Sequence, residues 1–96
     1  MRLADYKLNA QVRRLLVRRW IDLGRLDYGV TNGVVYLRGC LRTSGLDDER
    51  NSEDARLEEI TLAGRLERAL RQIPGVRDVI FQLDHIVKTG YRWRRR

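Results

Sequence analysis

The sequence predicts an α+β domain of order α-β-β-α-β, in which a three-stranded sheet carries two helices packed on one face. Three observations point there. Apolar residues recur at steps of three and four near the N-terminus and again over residues 53–73, the spacing of one helix face. Apolar residues alternate on both sides of Asn32-Gly33 and again after Pro74-Gly75, the spacing of half-buried strands. The chain has 96 residues, enough for one thin core and not for two.

The first helix is expected over residues 5–23. Leu8, Val12, Leu15, Leu16, Trp20 and Leu23 share one face, while Val17 and Ile21 fall outside that stripe on an exposed side. Asp5 is the expected N-cap, and Gly24 the stop, since glycine takes the left-handed conformation just past a helix end. Lys7, Gln11, Arg14 and Arg18 form a polar ridge on another face, and Arg19 lies at the stripe's edge with its stem over apolar surface.

Strands follow over 26–30 and 34–41. They are joined by Asn32-Gly33, two residues that tolerate the positive φ of a tight hairpin. Leu26, Tyr28 and Val30 share a face, as do Val35, Leu37 and Leu41. Gly39 interrupts the second strand, which marks a bulge or a close backbone approach.

Residues 42–54 carry no period and read as an acidic surface loop. Ser52, with Glu53 and Asp54, is placed to cap the helix over 53–73, whose buried stripe is Leu62, Ala63, Leu66, Ala69, Leu70 and Ile73. Pro74-Gly75 ends that helix. Val79, Phe81 and Leu83 alternate in a third strand over 77–83, parallel to the second strand if the two are neighbours. The core expected from these periods is Leu8, Val12, Leu15, Leu16, Val35, Leu37, Leu66, Leu70, Ile73, Val79 and Phe81.

The domain is thus expected over residues 1–87, with residues 88–96 as a basic, aromatic C-terminal tail that has no core pattern.

The hairpin Val30-Thr31-Asn32-Gly33-Val34-Val35-Tyr36-Leu37-Arg38-Gly39 resembles that of the BON domain family, an OsmY-like bacterial module, whose members show Asn-Gly-x-Val-x-Leu-x-Gly after a short strand. Ile73-Pro74-Gly75-Val76-Arg77-Asp78-Val79 is similar to the family's Gly-Val-x-x-Val at a helix end. The resemblance spans Leu8 to Leu83. It implies a non-enzymatic binding module that attaches to phospholipid surfaces, and it carries over no catalytic residue. The longer loop after the second strand and the cationic tail depart from the family pattern. Asn32, Gly33, Gly39 and Gly75 are turn and backbone-geometry positions, and so speak to fold rather than function.

Twenty Lys and Arg against thirteen Asp and Glu give a net charge of +7. The charge is uneven, because both ends are basic and residues 47–59 are acidic. Such a balance favours an anionic partner: an anionic phospholipid surface, an acidic protein surface or nucleic acid.

Other chemistries find little support. One Cys and one His make no disulfide framework and no Cys/His zinc site. Asp47, Asp48 and Glu49 lack the spacing of a calcium loop. There is no phosphate-cradling glycine loop and no Gly-x-Ser-x-Gly. Cys40 reads as a small apolar strand residue and His85 as a surface histidine. Catalytic residues, metal ligands and cofactors are therefore not expected.

The informative segment is Lys88-Thr89-Gly90-Tyr91-Arg92-Trp93-Arg94-Arg95-Arg96, where Tyr91 and Trp93 alternate with bases. Arginine pairs with phosphate, and aromatic rings enter a lipid interface or stack on bases. Lys88, Tyr91, Arg92, Trp93, Arg94, Arg95 and Arg96 are therefore the expected anionic-surface contacts, with Lys7, Arg14 and Arg18 as a secondary basic face. The alternatives are a nucleic-acid-binding protein using the tail and helix 1, or a homo-oligomerisation module. The N-terminus shows no apolar signal region and no segment is apolar enough to span a membrane, so the expected location is cytoplasmic with peripheral membrane attachment.

Overall fold

The computed structural model describes residues 3–43 and 52–96, and the side chains of the second segment from residue 57 onward. The segment Asp47-Asp48-Glu49 and the capping side chains Ser52, Glu53 and Asp54 lie outside what is described. The fold is α+β. Its elements are α1 (Leu3–Arg18), β1 (Leu26–Thr31), β2 (Val34–Gly39), α2 (Ser52–Arg71), β3 (Asp78–Leu83), β4 (Ile86–Thr89) and β5 (Arg92–Arg95).

β1, β2 and β3 form one sheet in that order. β1 runs antiparallel to β2, with Val30 opposite Val35 and Tyr28 opposite Leu37. The crossover through α2 returns β3 parallel to β2, with Val35 opposite Val79 and Leu37 opposite Phe81. This register gathers Leu26, Val30, Val35, Leu37, Val79 and Leu83 on one face, all buried. The opposite face carries Tyr36 and Ile80, both exposed.

The helices cover the buried face. Leu8, Val12 and Leu16 of α1 and Ala63, Leu66 and Leu70 of α2 complete the core, with Leu15, Ile73 and Phe81 packed against it. At about 25 cal/mol for each Å² of apolar surface withdrawn from water, this shared cluster is the main stabilising term. α1 packs on β1 and α2 on β3, so the two helices sit over opposite edges of the sheet.

The expected Asn-Gly turn is present, with Asn32 at φ 53° and Gly33 at φ 79°. Gly39, at φ 117°, is a close backbone approach, because a β-carbon there would collide with the carbonyl oxygen of Arg25. Gly75, at φ 96°, sets the turn after α2.

Three local expectations need correction. Asp5 does not cap α1, since the helix already includes Leu3 and Ala4. Instead its buried carboxylate accepts the N–H groups of Asn32 and Gly33, both at 2.9 Å, and fastens α1 to the hairpin turn. Trp20 and Ile21 exchange their expected places. α1 ends at Arg18, the chain turns, Ile21 swings into the core, and Trp20 stays 73% exposed.

The third correction concerns residues 88–96, which continue the folded domain. β4 and β5 pair antiparallel across Gly90-Tyr91 in a second, two-stranded sheet, with Lys88 opposite Trp93 and Thr89 opposite Arg92. No described helix is long and apolar enough to cross a membrane.

Candidate anionic-surface contact on the C-terminal hairpin

The hairpin is a short-range consequence of its sequence. Ile86, Val87, Thr89 and Trp93 are good strand formers. Gly90 takes φ 63° at the first position of a two-residue turn, a place where hairpins favour glycine. Arg96 closes the open end, its backbone N–H donating to the His85 carbonyl at 3.0 Å and its Nε to the Leu83 carbonyl at 2.9 Å.

Strand alternation then sorts the side chains. One face holds Ile86, Lys88 and Trp93 and turns toward the domain. Ile86 is buried, and the Trp93 ring meets Phe81 edge to face at 4.9 Å. Lys88 Nζ donates to both carboxylate oxygens of Glu67, at 2.8 and 2.7 Å. Arg71 donates to the same carboxylate at 3.1 Å and reaches Asp78 at 3.0 Å. Burial alone would raise the Glu67 pKa, but the hydrogen bonds and charges of Lys88 and Arg71 outweigh it and hold this carboxyl below its ordinary range. The Asp78 carboxyl is also lowered, by the Val79 N–H first and then by Arg71.

The other face carries Val87, Thr89, Arg92 and Arg94, and both arginines are exposed. Tyr91 projects from the turn at 99% exposure. The basic aromatic segment thus divides in two. Lys88, Trp93 and Arg96 hold the hairpin to the domain, whereas Tyr91, Arg92 and Arg94 meet solvent. Arg95 is exposed but engaged in an interaction of its own.

Lys7, Arg14 and Arg18 are exposed on α1 as expected. They are not brought to the hairpin, because α1 lies over β1 while the hairpin follows β3 and leans on α2. Lys7 instead borders a cleft of about 400 Å³ at the foot of α1, with Asn32, Gly33, Gly75 and Arg77. Asp5 is the one acid lining that cleft, and both of its oxygens are occupied by the turn.

Cys40 is a half-buried cysteine outside any disulfide, and its Sγ lies 3.9 Å from an Asp84 oxygen. Among the described residues no group of three or more His, Cys, Asp or Glu side chains could hold a metal ion. The buried acids Glu59 and Glu67 escaped the sequence reading. Glu59 accepts the Leu41 N–H at 2.8 Å, next to the end of β2. Their spacing places them on the apolar stripe of α2, in line with Ala63, Leu66 and Leu70, which is the signal that could have found them.

Comparison of the chain with protein-family models, curated proteins and solved structures finds no match.

Proposed function

We propose that this protein is a non-enzymatic, BON-like binding module that attaches to an anionic phospholipid surface through the outer face of its C-terminal hairpin. The observation that carries the reading is the division of the hairpin. One face is locked to Glu67 and Phe81, and the other presents Tyr91, Arg92 and Arg94 to solvent. A two-stranded ribbon alone would be marginal in water, so docking one face pre-organises the other. Each basic residue near an anionic bilayer contributes roughly 1 kcal/mol, so Arg92 and Arg94 together supply about 2 kcal/mol. The exposed Tyr91 ring adds an interfacial group at the tip. The resemblance of the Asn-Gly hairpin to the BON pattern supports the same reading. The nucleic-acid alternative draws on the tail and α1 together, and the two stand on opposite edges of the sheet.

The test is sedimentation with vesicles of phosphatidylcholine containing phosphatidylglycerol. The parent protein should bind, weaken steeply with added salt, and ignore vesicles of phosphatidylcholine alone. Replacing Tyr91, Arg92 and Arg94 together by alanine should weaken binding at least tenfold. Equal binding by parent and triple variant would overturn the reading, as would binding of duplex DNA with none to vesicles.

A further inference from the structure

The end of α1 holds a residue that the fold does not explain. The Trp20 N–H donates to the Val17 carbonyl and the Ile21 N–H to the Leu16 carbonyl, both at 3.1 Å. These are the paired bonds of a Schellman cap, and Ile21 and Leu16 are both buried in the shared core. Trp20 occupies the left-handed position of that cap, at φ 61°, where glycine is the usual residue. A bulky side chain with positive φ is a strained choice. Its ring repays little of that strain through packing, being 73% exposed. Backbone strain retained without a packing return points to a role outside the fold.

The surroundings define the chemistry. Val17, one turn earlier, is also exposed, and Arg13, Arg14, Arg18 and Arg19 are exposed on the last turns of the same helix. No acid occurs between Asp5 and Asp22. An apolar pair inside a collar of arginines, protruding from a helix end, fits a soft interface with phosphate above and acyl chain below.

α1 starts at the Asn32-Gly33 turn, where Asp5 is bonded, and finishes at the far end of the strands, where Ile21 bridges Thr43 and Asp22 bonds Arg42. The β4–β5 tip points the other way, since Lys88 meets Glu67 and Glu67 shares Arg71 with Asp78 at the start of β3. Trp20 and Tyr91 therefore occupy opposite ends of the strands and opposite edges of the sheet.

We infer that the Trp20 end of α1 is a second contact for an anionic phospholipid bilayer, so that one molecule bridges two bilayers. This rests on the hairpin reading for the first contact. A bilayer seated on the hairpin's outer face leaves the opposite corner to the second.

The experiment follows light scattering and sedimentation together, using vesicles of phosphatidylcholine with phosphatidylglycerol. The parent protein should bind and cluster the vesicles. Trp20→Gly suits the left-handed cap and should fold. It should bind within about threefold of the parent through the hairpin, yet cluster vesicles at least fivefold less. Trp20→Phe, which keeps an interfacial ring, should retain most of the clustering. Binding without clustering by the parent overturns the inference and leaves the hairpin reading standing, as does full clustering by Trp20→Gly. Unchanged binding by the triple hairpin variant overturns the hairpin reading instead. A dimer of the free parent protein in sedimentation that Trp20→Gly abolishes assigns this surface to a second copy and also overturns the inference.

Discussion

Replacing Lys88 by methionine tests whether the C-terminal hairpin is part of the fold. Lys88 Nζ contacts both oxygens of Glu67, and the Glu67 side chain is only 11% exposed. Removing one partner of a buried ion pair costs about 3–5 kcal/mol, because the other charge is left without compensation. Two features lower that figure here. Arg71 still faces Glu67 at 3.1 Å, and the Lys88 side chain is 30% exposed and therefore partly screened. The expected loss is about 2 kcal/mol. In urea, with a slope of roughly 1–1.5 kcal/mol per M for a chain of this size, the midpoint should fall by about 1.3–2 M. The loss should depend on pH. The Glu67 carboxyl lies below its ordinary value when folded. Its contribution is complete above the ordinary, unfolded carboxyl value and disappears as pH falls through the lower folded value. The gap between parent and Lys88→Met should therefore narrow in acid. A double variant, Glu67→Leu with Lys88→Met, should recover most of the loss, since an apolar pair can replace a buried ion pair at little cost. Unchanged urea midpoints for Lys88→Met, or a double variant no better than the single, would refute the reasoning.

Other consequences follow from single contacts. Asp5→Ala strands the Asn32 and Gly33 N–H groups and should cost about 2–3 kcal/mol in thermal or urea unfolding, and Asp5→Asn, which keeps one acceptor, should cost less. Gly39→Ala places a β-carbon against the Arg25 carbonyl at φ 117° and should lose at least about 2 kcal/mol by the same measurement. Cys40→Ser and His85→Ala should leave vesicle binding within about twofold, because neither side chain lies on the outer face of the hairpin; a tenfold loss in a folded variant would expose a working site there.

Most of the fold was legible because its signals are local. The step of Leu8, Val12 and Leu16, the Asn32-Gly33 turn and the alternation of Val79, Phe81 and Leu83 each fix an element without reference to the rest. The crossover dictated that β3 runs parallel to β2 if the two are neighbours, whereas their adjacency was not written in the local pattern. What sequence reasoning missed depends on contacts distant in the chain or on residues that break a composition rule. Trp20 continues the α1 stripe on paper, but the helix caps two residues earlier, and the left-handed turn exchanges its place with that of Ile21. Asp5 matches a cap by type, yet its partners lie 27 and 28 residues away. The second hairpin was hidden by its arginines, which obscure the alternation of Ile86, Lys88 and Trp93. The signal was Gly90-Tyr91 between two four-residue runs, a glycine-first turn flanked by strand formers. The basic aromatic character of the candidate site was visible in the sequence. Its division into a docked face and a free face was not, because that division is set by Glu67 and Phe81.

The most direct test of the hairpin reading is residue-resolved. In nanodiscs containing phosphatidylglycerol and a trace of lipid spin-labelled at the headgroup, the amide signals of Gly90–Arg94 should lose intensity, while those of β1 and β2 keep it. The same residues should be unaffected in nanodiscs of phosphatidylcholine alone. Full intensity for Gly90–Arg94 in the anionic discs, with the loss confined to the outer sheet face around Tyr36 and Ile80, would contradict it.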